Sequence, residues 1–154
     1  MIQRIQTILL LIVFALSVML MFFPLYEFTD NNGHTFLFGF DKIKPAVPEN
    51  AQTIKSIIPV GVLIPATSVF ALISIFLYKK RKVQKWFCLV TIVLIAFLIL
   101  LAFFFASRFT TNIFTSVHIK FAGIFPFIEL ILCYLAYRKI KDDEELVKSY
   151  DRIR

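Results

Sequence analysis

The sequence has few of the residues that disulfide-rich domains and metalloenzymes depend on. Its 154 residues include two cysteines, two histidines and four glycines, and 18% of the chain is charged. The two cysteines, Cys88 and Cys133, lie inside apolar runs, and neither a CxxC pair nor a metal-ligand spacing occurs. No disulfide framework is implied, and the chain is predicted to hold neither a metal nor a cofactor.

Apolar residues dominate instead. They make up 59% of the chain, with nineteen phenylalanines, whereas soluble domains are about half apolar and a quarter charged. The net charge of +7 comes from Lys and Arg at the ends of apolar runs, without a basic stripe interleaved with exposed aromatics. This composition predicts a membrane protein whose partner is the lipid bilayer and not nucleic acid.

Four apolar runs are long enough to cross a hydrocarbon core of roughly 30 Å, which takes about 20 helical residues. They are residues 5–23, 57–78, 86–107 and 119–137. The first run lacks an Ala-x-Ala cleavage site, which favours an uncleaved span over a signal peptide. The predicted fold class is an all-α membrane protein, a four-transmembrane-helix bundle in a single domain of residues 1–154.

The distribution of Lys and Arg predicts the orientation. Twelve of them fall on the side that holds both chain ends and the loop 79–85, and five fall on the other side. Both termini, this loop and a helical tail at 138–154 are therefore expected in the cytoplasm, with the loop 24–56 outside.

The outer loop contains LYEFTDNNGHTFLFGF, which alternates like a β-hairpin. A three-residue turn at 31–33 pairs Tyr26 with Phe38 and Phe28 with Phe36. That register places Phe40 with these four on one aromatic face, either an interfacial belt or a docking surface. The rest of the loop, DKIKPAVPENAQ, is expected to be a proline-bearing connection, and His34 and His118 are expected to be surface residues.

Glu129 is the one carboxylate in the middle of an apolar run. An acidic residue at that depth costs about 2.5–3.5 kcal/mol, and such residues usually face protein or water. Lys120 is on the opposite helix face and cannot neutralise it. Two interpretations remain open: a protonated carboxyl satisfied by the hydroxyls of Thr67 and Ser68, or a proton- or cation-handling group.

Three residues are predicted to bend or crowd the helices. Pro65 and Pro126 each free a carbonyl four residues earlier and kink a helix. Gly123 permits close approach of a neighbouring helix.

The cytoplasmic tail reads RKIKDDEELVKSYDRIR, with six basic and five acidic residues. Charged pairs four residues apart, such as Lys141 and Glu145, favour a solvated helix. Its apolar residues form one stripe and are the candidate partner-binding residues: Ile140, Leu146, Val147, Tyr150 and Ile153. The stripe continues the helix face of Glu129 and Cys133, and this edge is expected to contact the protein's own loop at 79–85, the membrane surface or another protein.

The basic loop KKRKVQK offers candidate contacts to anionic lipid headgroups, although the orientation of the chain alone would account for its charge. The candidates are Lys79, Lys80, Arg81, Lys82 and Lys85.

The opening MIQRIQT, the four runs and the closing IKDDEELVKSYDRIR resemble the bacterial domain-of-unknown-function family 4293. The resemblance covers the whole chain, and the tail is its most specific part. It implies a small four-span protein of the bacterial inner membrane, and it implies no activity.

Two functions follow as hypotheses. The first is a non-enzymatic accessory or scaffold subunit that binds a membrane partner through span four and the tail, because the chain has no nucleophile–base set, metal cluster or phosphate-binding glycine loop. The alternative is a small homo-oligomeric transporter or channel that uses Glu129. An enzyme acting on lipids ranks last, because the outer loop lacks an Asp/His or Ser/His cluster.

Overall fold

The computed structural model describes residues 3–30, 34–46, 55–112 and 116–152. Its helices are α1 (Gln3–Met19), α2 (Ile58–Phe76), α3 (Arg81–Asn112) and α4 (Phe125–Arg152). Its strands are β1 (Tyr26–Thr29), β2 (Thr35–Phe38), β3 (Lys42–Pro45), β4 (Lys55–Ser56) and β5 (Ser116–Ile119). Short 3-10 helices at Leu77–Lys79 and Phe121–Ile124 lead into α3 and α4.

The four helices pack as a square bundle, in which α1 and α3 each contact both α2 and α4. Buried positions recur at alternating steps of four and three residues, which aligns side chains along a single seam of each helix. On α1 the buried positions are Gln6, Leu10, Val13 and Ser17, and Leu20 continues the series just after the helix ends. Among the described side chains of α3 they are Gln84, Cys88, Thr91, Ile95, Leu98, Ala102 and Ala106.

The opposite faces of all four helices expose large apolar side chains, such as Leu11 on α1, Val62 on α2, Val93 on α3 and Ile131 on α4. Three helical segments of the described chain are long and apolar enough to cross a membrane, namely Ile58–Phe76, Arg81–Arg108 and Phe121–Glu145. A shorter apolar helix covers Ile5–Met19. An apolar exterior around a packed core is typical of a membrane protein.

One end of the bundle, which we name the sheet end, carries an antiparallel sheet with the strand order β4-β3-β2-β1-β5. The predicted hairpin register is confirmed, since Tyr26 pairs with Phe38 and Phe28 with Phe36. The turn residues 31–33 lie outside the described residues. The protein is mostly helical, as predicted, but its sheet is larger than the predicted hairpin: the sequence predicted two strands where the described residues form five.

The aromatic face of the hairpin points into the bundle. Phe28 and Phe38 are fully buried, and Tyr26, Phe36 and Phe40 pack against the same apolar cluster. The rings of Tyr26 and Phe38 meet edge to face, with centroids 5.6 Å apart. This face is therefore part of the core. Both predicted interpretations, an interfacial belt and a docking surface, are wrong.

Two predicted boundaries are corrected by strand pairing. Residues 116–119 extend the sheet by pairing β5 with β1, so the helix of the fourth run begins at Phe125 and not at residue 119. Within the proline-bearing connection, Lys42–Pro45 forms β3, and Lys55–Ser56, which follows the connection, forms β4. Residues 47–54 lie outside the described residues. At the other helices, α1 ends at Met19 and α3 extends to Asn112.

Candidate functional site

Glu129 lies on the face of α4 that points into the bundle. It is fully buried, and so are Cys133, Ala136 and Ile140, which follow it at steps of four and three residues. The prediction that Glu129, Cys133 and Ile140 share a face is confirmed. That face is directed at the protein's own core, because α4 packs against α1 and α3 along it.

The polar group that faces the Glu129 carboxyl is the hydroxyl of Ser17 on α1. Both carboxyl oxygens of Glu129 and the Ser17 Oγ are buried, and none makes a hydrogen bond of ordinary geometry among the described residues, although Ser17 lies near enough to the carboxyl to interact with it. A buried polar group without a partner costs about 1–3 kcal/mol. The site would therefore be stabilised by an added hydrogen-bond donor.

The predicted partners of Glu129 on α2 are directed elsewhere. Thr67 Oγ1 donates to the carbonyl of Ile64 at 2.7 Å, and Ser68 Oγ donates to the carbonyl of Pro65 at 2.8 Å. Both hydroxyls thus bond to their own helix, as Ser and Thr in apolar helices often do. The prediction that they satisfy Glu129 is wrong.

Apolar side chains enclose Glu129 and Ser17 on both sides along the bundle. Toward the sheet end lies the outer cluster, which includes Leu20, Phe38, Ile64, Leu98 and Phe125. Toward the other end lies the inner cluster, which includes Leu10, Val13, Ala71, Ile95 and Ile140. Glu129 and Ser17 form a polar layer between two apolar ones, so the described core of a single chain provides no continuous polar path.

Cys88 and Cys133 meet one helical turn from Glu129. Their Sγ atoms are 3.5 Å apart, and each thiol also contacts the backbone carbonyl of the other residue. Both cysteines are free and buried, and they join α3 to α4 within the inner cluster. Sequence spacing did not indicate this contact, because 44 residues separate them along the chain.

Polar side chains close the other end of the bundle, which we name the loop end after the α2–α3 connection. Gln6 Nε2 donates to Asp143 Oδ2 at 2.5 Å, and Arg81 Nη1 donates to the Asp143 carbonyl at 3.1 Å. Lys85 Nζ donates to Glu144 Oε2 at 2.6 Å. These five residues form the loop-end network, which holds α4 to both α1 and α3.

One of the three contacts proposed for the tail, that with the protein's own loop, is present in the first part of the tail. As far as Glu144, the tail packs on the protein's own residues 81–85. Ile140 is 1% exposed and belongs to the inner cluster, so it is not available to a partner. The side chains of Leu146, Val147 and Tyr150, and the whole of Ile153, lie outside the described part of the chain.

Two residues of the basic loop, Arg81 and Lys85, belong to the same network. Lys85 is paired with Glu144 and Arg81 with Asp143, so the structure assigns both to contacts within the chain. Lys80 and Lys82 are exposed and remain candidates for anionic headgroups. The side chain of Lys79 lies outside the described ones.

Pro126 and Gly123 act differently from prediction, and the kink at Pro65 stays a prediction. Pro126 is the second residue of α4, where proline is tolerated, so it starts a helix and does not kink one. Gly123 approaches the chain before β1 and not a helix, since an added Cβ would lie 2.6 Å from the Leu25 carbonyl oxygen. Pro65 lies inside α2, which continues through it to Phe76.

Sequence reasoning missed Ser17 and Gln6 as partners of the α4 face. A signal was present, because both occupy the seam of α1 that also contains Leu10 and Val13. The sequence did not reveal which helix that seam would meet, so neither residue could be assigned to Glu129 or Asp143. Lys120 pairs with Glu27 of β1, which agrees with its exclusion as a partner of Glu129.

No group of three or more His, Cys, Asp or Glu side chains is placed to hold a metal ion in the part of the chain that the structure describes. His34 and His118 are both exposed, as predicted.

Comparison with known proteins gives one family and no curated relative. The family described as Domain of unknown function (DUF4293) matches residues 2–153, which is nearly the whole chain. Among curated proteins, no sequence matches. The chain belongs to the DUF4293 family.

Proposed function

We propose that this is a four-span protein of the bacterial inner membrane that acts as a non-enzymatic accessory subunit. Its partner would be another membrane protein, contacted by the end of α4. The support for four spans comes from α1, which reaches from Gln6 in the loop-end network to Leu20 in the outer cluster. Its 17 residues extend about 25 Å, near the lower limit for a spanning helix.

The excess of Lys and Arg at the chain ends and at residues 79–85 supports a cytoplasmic loop end. In this orientation the sheet lies outside the cytoplasm, and the tail enters the cytoplasm where the network holds it.

The observation that carries the accessory function is the continuity of α4. The helix runs unbroken from Phe125 to Arg152, and Asp143 and Glu144 fix it to the bundle. Its last two turns continue the same helix, and the sequence places Leu146, Val147 and Tyr150 there. A pre-ordered helix binds with a smaller loss of conformational entropy than a flexible tail.

The chemistry of the tail suits a protein surface. Its six basic and five acidic residues nearly cancel, whereas attraction to anionic lipid grows by about 1 kcal/mol for each basic residue near the surface. The expected partner presents an apolar groove bordered by charges of both signs.

The test compares native mass spectra of the tagged protein extracted from its own membrane in mild detergent. The expected result is a stoichiometric foreign subunit that the double variant Leu146→Asp/Tyr150→Asp loses. Lys141→Asp is the matched control, because it makes the same change of two charge units at an exposed position of α4. An association that survives the double variant, or that the control abolishes equally, would remove the tail as the interface.

A second function has its own supporting observation, the unpartnered carboxyl of Glu129 facing Ser17. In a homo-oligomeric transporter or channel, symmetry-related copies could supply the neighbours that a relay needs and that one chain lacks. Proteoliposomes containing Glu129→Gln would then lose pH-driven flux. The control Glu145→Gln makes the same chemical change at an exposed site. Equal flux in all three proteins would count against a transport role.

A further inference from the structure

A lateral groove lies near the sheet end, between α3 and the start of α4. It arises because α3 continues to Asn112 whereas α4 begins only at Phe125. In that interval the chain forms β5 and a 3-10 helix, so the last turns of α3 have a strand and a turn beside them in place of a helix. The groove has a volume of about 540 Å³, within the roughly 300–1,000 Å³ of small-molecule sites.

The groove is apolar and owes its depth to two small residues. Ala106 and Gly123 form part of its wall, together with Ile99 of α3 and Val117 of β5. Gly123 cannot be enlarged without moving the backbone, because a Cβ there would lie 2.6 Å from the Leu25 carbonyl oxygen and 2.8 Å from Ile119.

The residues at the opening of the groove show whether it faces water or the hydrocarbon of the bilayer. Four lining residues are also among the exposed apolar side chains, with exposed fractions of 65% for Leu100, 70% for Phe103, 66% for Ile119 and 51% for Phe127. Both α3 and α4 belong to candidate membrane spans. The groove therefore continues the lipid-facing surface, and its occupant comes from the hydrocarbon phase.

The lining also contains two hydroxyl-bearing residues, Tyr26 of β1 and Ser107 of α3. Burial raises the pKa of the Tyr26 phenol above its ordinary value, so the phenol remains protonated as a hydrogen-bond donor at neutral pH. Ser107 is five residues from the end of α3, at the depth where an apolar span meets the headgroup region. Its hydroxyl donates to the Phe104 carbonyl at 2.9 Å, so the donor for a lipid ester is the Tyr26 phenol. Polar groups beside an apolar groove suit the ester end of a phospholipid tail.

We propose that this groove holds one acyl chain of a phospholipid from the leaflet on the sheet side of the membrane. The proposal requires α3 and α4 to span the membrane, and it is independent of any partner bound by the tail. A site of this kind keeps its lipid when detergent removes the surrounding bilayer.

The test uses a phosphatidylethanolamine with a photoactivatable diazirine near the middle of one acyl chain, which reaches the level of Leu100 when the ester lies beside Ser107. The protein is reconstituted with this lipid, washed in mild detergent, irradiated and mapped by peptide mass spectrometry. Labelling is expected at Leu100, Phe103 and Phe127, at about ten times the level found at Val93 and Ile131. The latter two are equally exposed apolar residues of α3 and α4 that do not line the groove.

Variants that fill the groove with a larger side chain test whether the labelled lipid binds in the groove. Ser107→Trp and, separately, Leu100→Trp should lower the retained label about tenfold, whereas Val93→Trp, which adds the same ring outside the groove, should not. Circular dichroism confirms that each variant remains helical. Loss of label from the native protein on washing, equal labelling at all exposed sites, or recovery of a protein cross-linked to the groove would each overturn the proposal.

Discussion

The two ends of the bundle are closed by opposite chemistry. At the sheet end, Phe28 and Phe38 cover the helices with fully buried rings. At the loop end, Gln6, Asp143 and Glu144 are buried or nearly so, and hydrogen bonds and an ion pair connect three helices. The sheet end is therefore held by apolar burial, which depends on shape, and the loop end by polar pairing, which depends on charge and partner.

This difference has a consequence for regulation. Apolar burial responds little to salt or to a single charge, whereas a partly buried ion pair such as Lys85–Glu144 responds to both. Since Glu144 belongs to the network, a partner that competes for Glu144 would weaken the contact between α4 and α3. The sheet end also contains an ion pair, Lys120–Glu27, but its side chains are more exposed, at 44% and 21%, and it joins β1 to the residue after β5 and not two helices.

The largest expected effect comes from Phe38→Ala. Phe38 is fully buried, contacts the rings of Tyr26 and Phe28, and belongs to the outer cluster. Truncating a buried Phe costs about 3–5 kcal/mol through lost burial and the cavity left behind. The thermal unfolding midpoint in detergent, followed by circular dichroism, should fall substantially and by a similar amount at low and high salt.

Leu37→Ala is the control for this substitution. Leu37 is the next residue along β2, half-buried on the opposite face of the sheet, so its loss should be clearly smaller. An equal loss in the two variants would show that the aromatic face does not carry the stability of the sheet end.

The sheet end was also the more predictable of the two. Alternation in LYEFTDNNGHTFLFGF determines a register, and the structure confirms the pairing of Tyr26 with Phe38. Alternation also predicts a shared face, but not what covers it, because both an interface and a core accept aromatic rings. The strands β3 and β5 were missed because each has four residues and forms by pairing with a neighbour already in place.

At the loop end, periodicity placed Ile140 on the correct face of α4 but gave the wrong environment. The stripe of an isolated helix looks the same whether it meets its own bundle or another protein. The contact of Asp143 with Gln6 joins residues 137 positions apart, and such pairings follow from which helices are neighbours. The same limit hid Ser17 beside Glu129 and the meeting of Cys88 with Cys133.

Asp143→Ala should have the second-largest effect. The substitution leaves the Gln6 amide without its acceptor at a buried site, which costs about 1–3 kcal/mol. The unfolding midpoint should fall less than for Phe38→Ala, and exchange of the α4 backbone amides beyond Glu144 should accelerate, as measured by hydrogen–deuterium exchange. Asp142→Ala is the matched control, because it removes the same charge from the adjacent, exposed position. If Asp142→Ala accelerated exchange as much, loss of charge and not loss of the network would be responsible.

The smallest effect is expected at the tail pair that the sequence did predict. Lys141 and Glu145 are four residues apart on α4 with their charged atoms 3.7 Å apart, and both side chains are more than half exposed. Exposed helical pairs of this kind contribute about 0.3–0.5 kcal/mol, since water and salt screen them. Glu145→Ala should therefore shift the unfolding midpoint barely beyond error at low salt and not at all at high salt. A loss as large as that of Asp143→Ala would mean that the exposed charges belong to the loop-end network after all. The ion pair that the four-residue spacing predicts contributes little to the stability of the protein, because it forms on the exposed surface of a single helix. The buried contact that spacing cannot reveal matters more, because it forms only when three helices have already met.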